Sequence, residues 1–129
     1  MDSEALARHC VDRGYRLHRD LGPGLLETVY ESLLYEGLRR DGLKVSRQQT
    51  VPLRHDGIVL ENAFRYDLLV EDELLIEVKS TEQHAKVHAK QVITYLRLMD
   101  LRVGFLMNFG MNTFKEGCQR LVNNYVRRS

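Results

Sequence analysis

The sequence is poor in the residues that mark disulfide-stabilised, membrane-spanning and low-complexity proteins. Its 129 residues contain no tryptophan, two prolines and two cysteines. Cys10 and Cys118 lie far apart and make no disulfide framework, so we expect free thiols in a reducing cytoplasm. No apolar run approaches the roughly 20 residues that a bilayer requires, and the acidic start of the chain does not resemble a secretory signal. These absences predict a cytoplasmic protein with no membrane contact.

The composition describes an ordinary globular protein, with 43% hydrophobic and 29% charged residues. The length fits a single domain over residues 1–129. The net charge of +1 is uneven: residues 61–82 hold seven acidic and two basic side chains, so this segment carries −5 and the remainder carries +6. An acidic focus within a basic body fits a metal site inside a phosphate-binding surface. On charge alone, an acidic turn on a solvated surface is the simpler interpretation.

Hydrophobic periodicity predicts the element order ααβββαβ, followed by one ambiguous element. The predicted helices span residues 4–20, 25–40 and 86–100. The predicted strands span residues 45–53, 63–70, 74–78 and 103–108. Residues 109–117 read as a loop, and residues 117–125 as an edge strand or a last helix. In the second helix, the residues expected to face the core are Leu26, Val29, Tyr30, Leu33 and Leu34. The order predicts an α/β fold in which helices flank a mixed central β-sheet.

The central pair of strands can be registered from the length of its acidic turn. If the three acidic residues between the strands form the loop, Val70 pairs with Leu74, and Asp67 lies directly opposite Glu77. Lys79 follows Glu77 by two residues and therefore points to the same face. The alternate apolar residues of the second strand point the other way, into the core.

Asp67 and Glu77 thus place two negative charges side by side among apolar residues. Such a pair is destabilising unless something compensates its charge. A hard divalent cation would do so, because carboxylate oxygens are the ligands that Mg²⁺ prefers. The alternative is an exposed hairpin face on which Lys79 neutralises the pair.

Side chains on two predicted helices could complete a metal site. Gln91 and Tyr95 are one turn apart on the helix that follows Lys79, where an amide and a phenol could orient a phosphate or an attacking water. In the second helix, Glu27 and Glu31 share a face, and either could supply a further carboxylate. Each of these residues has an ordinary structural explanation when taken alone. Their combination with the acid pair favours the metal site.

His84 and His88 lie four residues apart and could form half of a zinc site. No third ligand with suitable spacing accompanies them, and Lys86 and Lys90 flank them. We therefore expect solvent-facing histidines at the start of the helix.

The same residues resemble a known nuclease signature. Tyr66-Asp67 followed by Glu77-Val78-Lys79 resembles the signature of the PD-(D/E)xK nuclease superfamily, with Tyr66 in place of the proline, and Gln91-x-x-x-Tyr95 resembles the additional motif of its exonuclease-like branch. More closely, Gly24-Leu25-Leu26-Glu27-Thr28-Val29-Tyr30 matches the pattern of the GxxExxY family of small bacterial and archaeal proteins. Two other segments also resemble that family: Leu21-Gly22-Pro23-Gly24 and Leu106-Met107-Asn108-Phe109-Gly110. The likeness covers about residue 15 to residue 125.

The resemblance implies a restriction-endonuclease-like PD-(D/E)xK core and a role for each matching residue. Asp67 and Glu77 would be metal ligands, with the backbone carbonyl of Val78 as a third. Lys79 would position or help deprotonate the attacking water and offset charge in the transition state. Glu27 would reach the metal through water. Gln91 and Tyr95 would join the catalytic group.

The chemistry suits this assignment because a phosphodiester repels hydroxide, and Mg²⁺ or Mn²⁺ both neutralises charge and acidifies bound water. A lysine beside a cation loses its proton more readily, which fits it for base catalysis. We expect a nuclease that hydrolyses nucleic acid, DNA in preference to RNA, acting alone, as a homodimer or with a protein partner. The main alternative is a catalytically silent nuclease fold that binds nucleic acid or a protein. A zinc hydrolase built on His84 and His88 would need a ligand that the sequence does not show.

Overall fold

The computed structural model describes residues 1–124. Its helices are α1 (Ser3–Leu21), α2 (Glu27–Arg40), α3 (Lys86–Met99) and the one-turn α4 (Phe114–Gly117). Its strands are β1 (Val45–Arg47), β2 (Thr50–His55), β3 (Ile58–Arg65), β4 (Leu68–Val70), β5 (Leu74–Lys79), β6 (Val103–Asn108) and β7 (Cys118–Val122).

A five-stranded mixed sheet with the order β1-β4-β5-β6-β7 forms the centre of the fold. β5 and β6 are parallel and are joined through α3, whereas the other neighbouring pairs are antiparallel. Both faces of β5 are covered, so Leu74–Val78 are all buried. Helices α1 and α2 pack on one face, and α3 packs on the other. The predicted α/β class, with helices flanking a mixed sheet, is confirmed.

The two N-terminal helices form one layer of the fold. Asp2 caps α1 by accepting a hydrogen bond from the amide of Ala5 at 2.8 Å, which satisfies one of the free amides at a helix start. The helix ends at Gly22, which has a φ of 71°. Glycine adopts this backbone angle without strain.

The buried face of α2 differs from the predicted one. Leu26, Val29 and Leu33 were expected in the core, but they are 74%, 37% and 46% exposed. The buried residues are Tyr30, Glu31, Leu34, Gly37 and Leu38. Tyr30 and Leu34 are buried as predicted; the prediction was wrong for the other three because it counted only apolar residues and did not place Glu31 on the buried face. The tertiary fold buries that glutamate against polar partners.

Two predicted strands were also wrong, because each is divided between two sheets. The segment 45–53 breaks at Gln48, whose φ of 52° turns the backbone out of extended geometry. The segment 63–70 breaks at residues 66–67, between β3 and β4. As a result β2 and β3 form a separate two-stranded sheet. Asp67 lies at the bend where the chain passes from one sheet to the other.

The C-terminal part of the chain resolves the ambiguous element in favour of a strand. β7 pairs antiparallel with β6 at the edge of the sheet. The segment 109–117 was predicted to be a loop and instead contains the single turn of α4, capped by the Thr113 side chain. The end of the predicted 117–125 element, Tyr125, lies outside the described residues. Within residues 1–124, no helix has the length and apolar character needed to cross a bilayer.

Candidate metal centre

The pairing of β4 with β5 brings Asp67 and Glu77 together. Val70 pairs with Leu74 and Leu68 with Ile76, as the three-residue turn predicts. Continued by one residue, this register places Asp67 opposite Glu77. The backbone amide of Asp67 donates to Glu77 Oε1 at 3.4 Å, and the Asp67 side chain is close enough to raise the pKa of Glu77. The two acids therefore share one site.

Glu77 is the buried member of the pair, with 4% of its surface exposed. Burial, followed by the contact with Asp67, raises the pKa of Glu77 to about 10. In the metal-free protein this carboxyl group therefore holds its proton at neutral pH, even with Lys79 nearby. The expected alternative of an exposed hairpin face is wrong, because the face that carries Glu77 is covered by α3.

Asp67 is oriented by two hydrogen bonds. Its Oδ2 accepts from the backbone amide of Val78 at 2.8 Å. Its Oδ1 accepts from the Gln48 side-chain amide at 3.0 Å. One bond comes from the strand that carries Glu77 and the other from the bend between β1 and β2. The carboxylate is thus fixed where the two sheets separate.

The backbone of β5 places the Val78 carbonyl on the same side as Asp67. Within a strand, the amide and carbonyl of one residue face the same neighbour, and successive residues alternate. The Val78 amide faces Asp67, while the carbonyl of the next residue, Lys79, accepts from Phe109 on the β6 side at 2.8 Å. The Val78 carbonyl therefore points toward the strand edge where the acid pair lies.

Lys79 is half-buried at the end of β5, on the face that carries Glu77. Its positive charge partly counteracts the burial that raises the pKa of Glu77 and of Glu27. Within residues 1–124 its ammonium makes no ion pair at salt-bridge distance. The charge of Lys79 is therefore directed at the acidic group without being locked onto one partner.

Glu31, which the sequence offered only as an alternative to Glu27, lies beside Asp67 in a group of hydrogen-bonded side chains. It is buried, and its carboxylate accepts from Arg47 Nε and from Gln48 Nε2, both at 2.7 Å. Because the Gln48 amide also donates to Asp67, it connects the two carboxylates. Gln48 and Arg47 were not expected to take part. No local sequence pattern indicates either residue, because their contacts join the end of β1 to α2 and to Asp67.

Glu27 stands at the first turn of α2, half-buried on the same side as the acid pair. Burial raises its pKa, Lys79 opposes that rise, and Asp67 and Glu31 add to it. These influences place Glu27 within electrostatic range of both Lys79 and Asp67.

Tyr95 and Gln91, both on α3, differ in their contacts near the acid pair and in their exposure. The Tyr95 ring stacks on Phe64 with centroids 4.2 Å apart, and the pKa of Tyr95 is raised by burial and then by the charges of Glu77 and Asp67. Gln91, one turn earlier, is exposed, and its side chain forms no hydrogen bond with another residue of the described chain. Tyr95 therefore borders the acid pair, whereas Gln91 lies on the open part of the same helix face.

The two histidines are half-buried and do not simply face solvent. His84 Nε2 lies 2.8 Å from the Glu116 carbonyl oxygen. Burial lowers the pKa of His88, and the nearby charges of Lys79 and His84 lower it further. His84 thus links the start of α3 to α4, and His88 borders Lys79.

The donor set suits a hard divalent cation that is only partly enclosed by protein. Among residues 1–124, no three His, Cys, Asp or Glu side chains come close enough together to hold a metal ion by themselves. Asp67 and Glu77 supply two carboxylates, and the Val78 carbonyl faces the same edge. Mg²⁺ is commonly bound by one or two carboxylates, with water and substrate phosphate completing its shell. The residues present therefore fit such an ion.

Comparison with known proteins identifies the family. The family model of the PD-(D/E)XK nuclease superfamily matches residues 4–121, nearly the whole chain. No curated protein and no solved structure matches the chain. The five-stranded mixed sheet with its flanking helices is consistent with the core of this superfamily. This chain therefore belongs to the PD-(D/E)XK nuclease superfamily.

Proposed function

We propose that this protein is a divalent-metal-dependent nuclease that hydrolyses phosphodiester bonds of nucleic acid. The observation that carries the proposal is the contact between Asp67 and buried Glu77, with Lys79 on the same strand face. A buried carboxyl group with a strongly raised pKa needs a cation to become charged at neutral pH. Family membership supports the proposal, because members of this superfamily are mostly nucleases and generally use divalent metals.

The proposed ligands follow from the orientation of the site. Asp67 and Glu77 would hold the cation through their carboxylate oxygens, with the Val78 carbonyl as a third protein ligand. Glu27 would contribute through a bridging water. When bound there, a divalent ion polarises the phosphoryl oxygen and lowers the pKa of water.

The other residues act on the water and the phosphate. The Lys79 side chain positions the attacking water or accepts its proton, and in its charged form it stabilises the negative charge that builds up on the phosphoryl oxygens. Tyr95 and Gln91, on the adjacent face of α3, orient the phosphate. Gln48 and Glu31 touch no substrate in this scheme and hold Asp67 in position.

The proposal also includes the identity of the ion, the nucleic acid, the family subtype and the cellular compartment. We take Mg²⁺ as the resident ion, with Mn²⁺ as a substitute, and DNA as the preferred substrate over RNA. The +6 charge outside residues 61–82 supports contact with phosphates. The segment Gly24–Tyr30 supports membership of the GxxExxY family, and the free thiols of Cys10 and Cys118 fit a reducing cytoplasm. A homodimer or a protein partner would extend the substrate-binding surface.

The test is cleavage by the purified protein of a panel of single strands, duplexes, flaps and junctions. With Mg²⁺ or Mn²⁺ we expect nicking or degradation of at least one substrate, and EDTA should abolish it. Lys79→Ala should lose roughly 100-fold or more in turnover while it retains metal binding. Asp67→Ala should lose both, because it removes a ligand.

Lys86→Ala is the matched control, since Lys86 is an exposed lysine at the start of α3. It should cleave at a rate close to that of the unmodified protein. If the protein instead binds nucleic acid equally well with and without metal and cuts no substrate, and if Asp67→Ala changes nothing, the nuclease proposal fails. The catalytically silent binding fold then replaces it.

A further inference from the structure

Two sequence segments that carry no catalytic group meet beside the proposed metal centre. They are Leu21–Gly24, before α2, and Leu106–Gly110, at the end of β6. The rings of Tyr30 and Phe109 connect them, stacked with centroids 4.6 Å apart and planes 7° from parallel. Both rings are fully buried. The two segments are therefore held at a fixed separation.

The first segment is fixed by hydrogen bonds that use its backbone. The Tyr30 hydroxyl accepts from the Leu25 amide at 3.2 Å and donates to the Gly22 carbonyl. The Ser80 hydroxyl donates to the Leu25 carbonyl at 2.7 Å. Gly24 adopts a φ of 109°, which disfavours any residue with a side chain. The loop is rigid, and both backbone polar groups of Leu25 are satisfied within the protein.

The second segment is fixed by buried Asn108. Its side-chain oxygen accepts from the amides of Thr81 and Gly110, both at 3.0 Å, and its side-chain nitrogen donates to the Thr81 hydroxyl at 3.0 Å. A Cβ on Gly110 would lie 2.4 Å from backbone atoms of Thr81, so the two backbones touch. The second segment is therefore as rigid as the first.

A cavity of about 430 Å³ has one wall on the side of each segment. Residues 24–27 line the first wall, and residues 80–82 with Gly110 line the second. Its volume falls within the roughly 300–1,000 Å³ of small-ligand sites. Glu27 and Ser80 connect it to the proposed metal centre, since Ser80 follows Lys79 directly. The cavity therefore adjoins the position of the reacting phosphate.

The lining determines what kind of group the cavity can hold. Leu25 and Leu26 are 41% and 74% exposed at its mouth. Among residues 1–124, the charged residues that line it are Glu27 and Glu82, and no lysine or arginine does so. Carboxylates repel a phosphate, whereas aliphatic side chains attract the face of a nucleobase. A carboxylate also accepts hydrogen bonds from the exocyclic amino groups of bases.

We propose that this cavity is a subsite for one unpaired nucleobase, adjacent to the phosphate that is cleaved. The inference rests on the proposed function and narrows its substrate to DNA with an unpaired nucleotide at the cleavage point. A base that is stacked and paired in a duplex cannot enter a cavity with two rigid walls. Leu25 and Leu26 then act as specificity-determining residues.

The test compares two single-stranded DNA probes with the same number of phosphates, one with bases and one built only of abasic sites. Binding is measured with Ca²⁺, which occupies oxygen sites while commonly supporting little cleavage. The unmodified protein should bind the base-bearing strand about tenfold more tightly. The double variant Leu25→Ala/Leu26→Ala should bind both probes alike, with its affinity for the abasic strand unchanged.

Leu33→Ala is the control, because Leu33 is a similarly exposed leucine on α2 outside the cavity. It should keep the tenfold preference, and thermal melts should show all variants folded. The inference is overturned if the unmodified protein binds both probes equally, or if the double variant keeps the preference. Cleavage of DNA without any base preference would overturn this inference alone. A base preference that depends on Leu25 and Leu26, without cleavage of any substrate, would overturn the nuclease proposal alone.

Discussion

The backbone amide of Val78 donates to Asp67 Oδ2 at 2.8 Å, across the edge where the two sheets separate. This bond ties the carboxylate at the bend to the strand that carries Glu77. The carboxyl groups of Asp67 and Glu77 are thereby held in one place before any cation arrives. The cost of their proximity falls on Glu77, the more deeply buried of the two.

The first prediction concerns the stability of the metal-free protein. Glu77 ionises near its ordinary pKa when unfolded, but its pKa is raised to about 10 in the fold. The folded state therefore binds more protons between these values, so stability is highest below the unfolded pKa and falls as pH rises toward 10. Glu77→Gln should raise the free energy of unfolding by at least about 1 kcal/mol at pH 8.

Chemical denaturation in EDTA at several pH values measures this difference. Glu61→Gln, at an exposed position of β3, is the control and should leave the pH dependence unchanged. A loss of stability in Glu77→Gln at pH 8 would mean that the ionised carboxylate is satisfied by partners in the fold.

The second prediction concerns protons released when the metal binds. The Glu77 carboxyl must lose its proton to act as a ligand, so Mg²⁺ binding at pH 7 should release about one proton and should tighten as pH rises. Calorimetry in two buffers of different ionisation enthalpy counts the protons. Glu77→Gln should bind more weakly and release none. Equal heats in both buffers for the unmodified protein would contradict this prediction.

The third prediction tests Gln48 as a positioning residue. Its amide joins Glu31 to Asp67, and outer partners of this kind typically contribute 10- to 100-fold to metal affinity. Gln48→Ala should weaken Mn²⁺ binding by about tenfold. Gln49→Ala is the matched control, because within residues 1–124 the exposed Gln49 side chain bonds only the Arg47 carbonyl. If the two variants bind Mn²⁺ equally, Gln48 has no such role.

The fourth prediction concerns the rigid wall of the cavity. Tyr30→Phe keeps the ring stacked on Phe109 but removes the hydroxyl that bonds Leu25 and Gly22. We expect a loss of about 1–2 kcal/mol in the free energy of unfolding, and a smaller difference in affinity between the base-bearing and abasic strands. Tyr15→Phe, at a half-exposed tyrosine on α1, should change neither. An unchanged base preference in Tyr30→Phe would show that the loop needs no such anchor.

Much of the fold could be predicted from local pattern. The bounds of α1 and α3 follow from hydrophobic periodicity and end signals, because each helix buries one continuous face. Those of β6 follow from its short apolar run, which is buried on both faces. The register of β4 on β5 follows from a turn of three acidic residues, since the length of a turn fixes which residues pair.

Other features depended on contacts between distant residues. Leu26 and Leu33 looked like core residues but are exposed, because the face of α2 that packs on the sheet carries other residues, Glu31 among them. The division of two strands at Gln48 and Asp67 also has no strong local signal, since neither break contains a glycine or a proline. Gln91, which the sequence grouped with Tyr95, lies on the exposed part of its helix.

The sequence by itself determined which acids oppose each other, because backbone alternation and turn length are local properties. It could not determine that Glu77 is buried, since this required α3 to cover that face of the sheet. Nor could it bring Gln48, Glu31 and Asp67 into one hydrogen-bonded group. Those contacts join a helix, a strand bend and a sheet edge, so they exist only once the whole chain is packed.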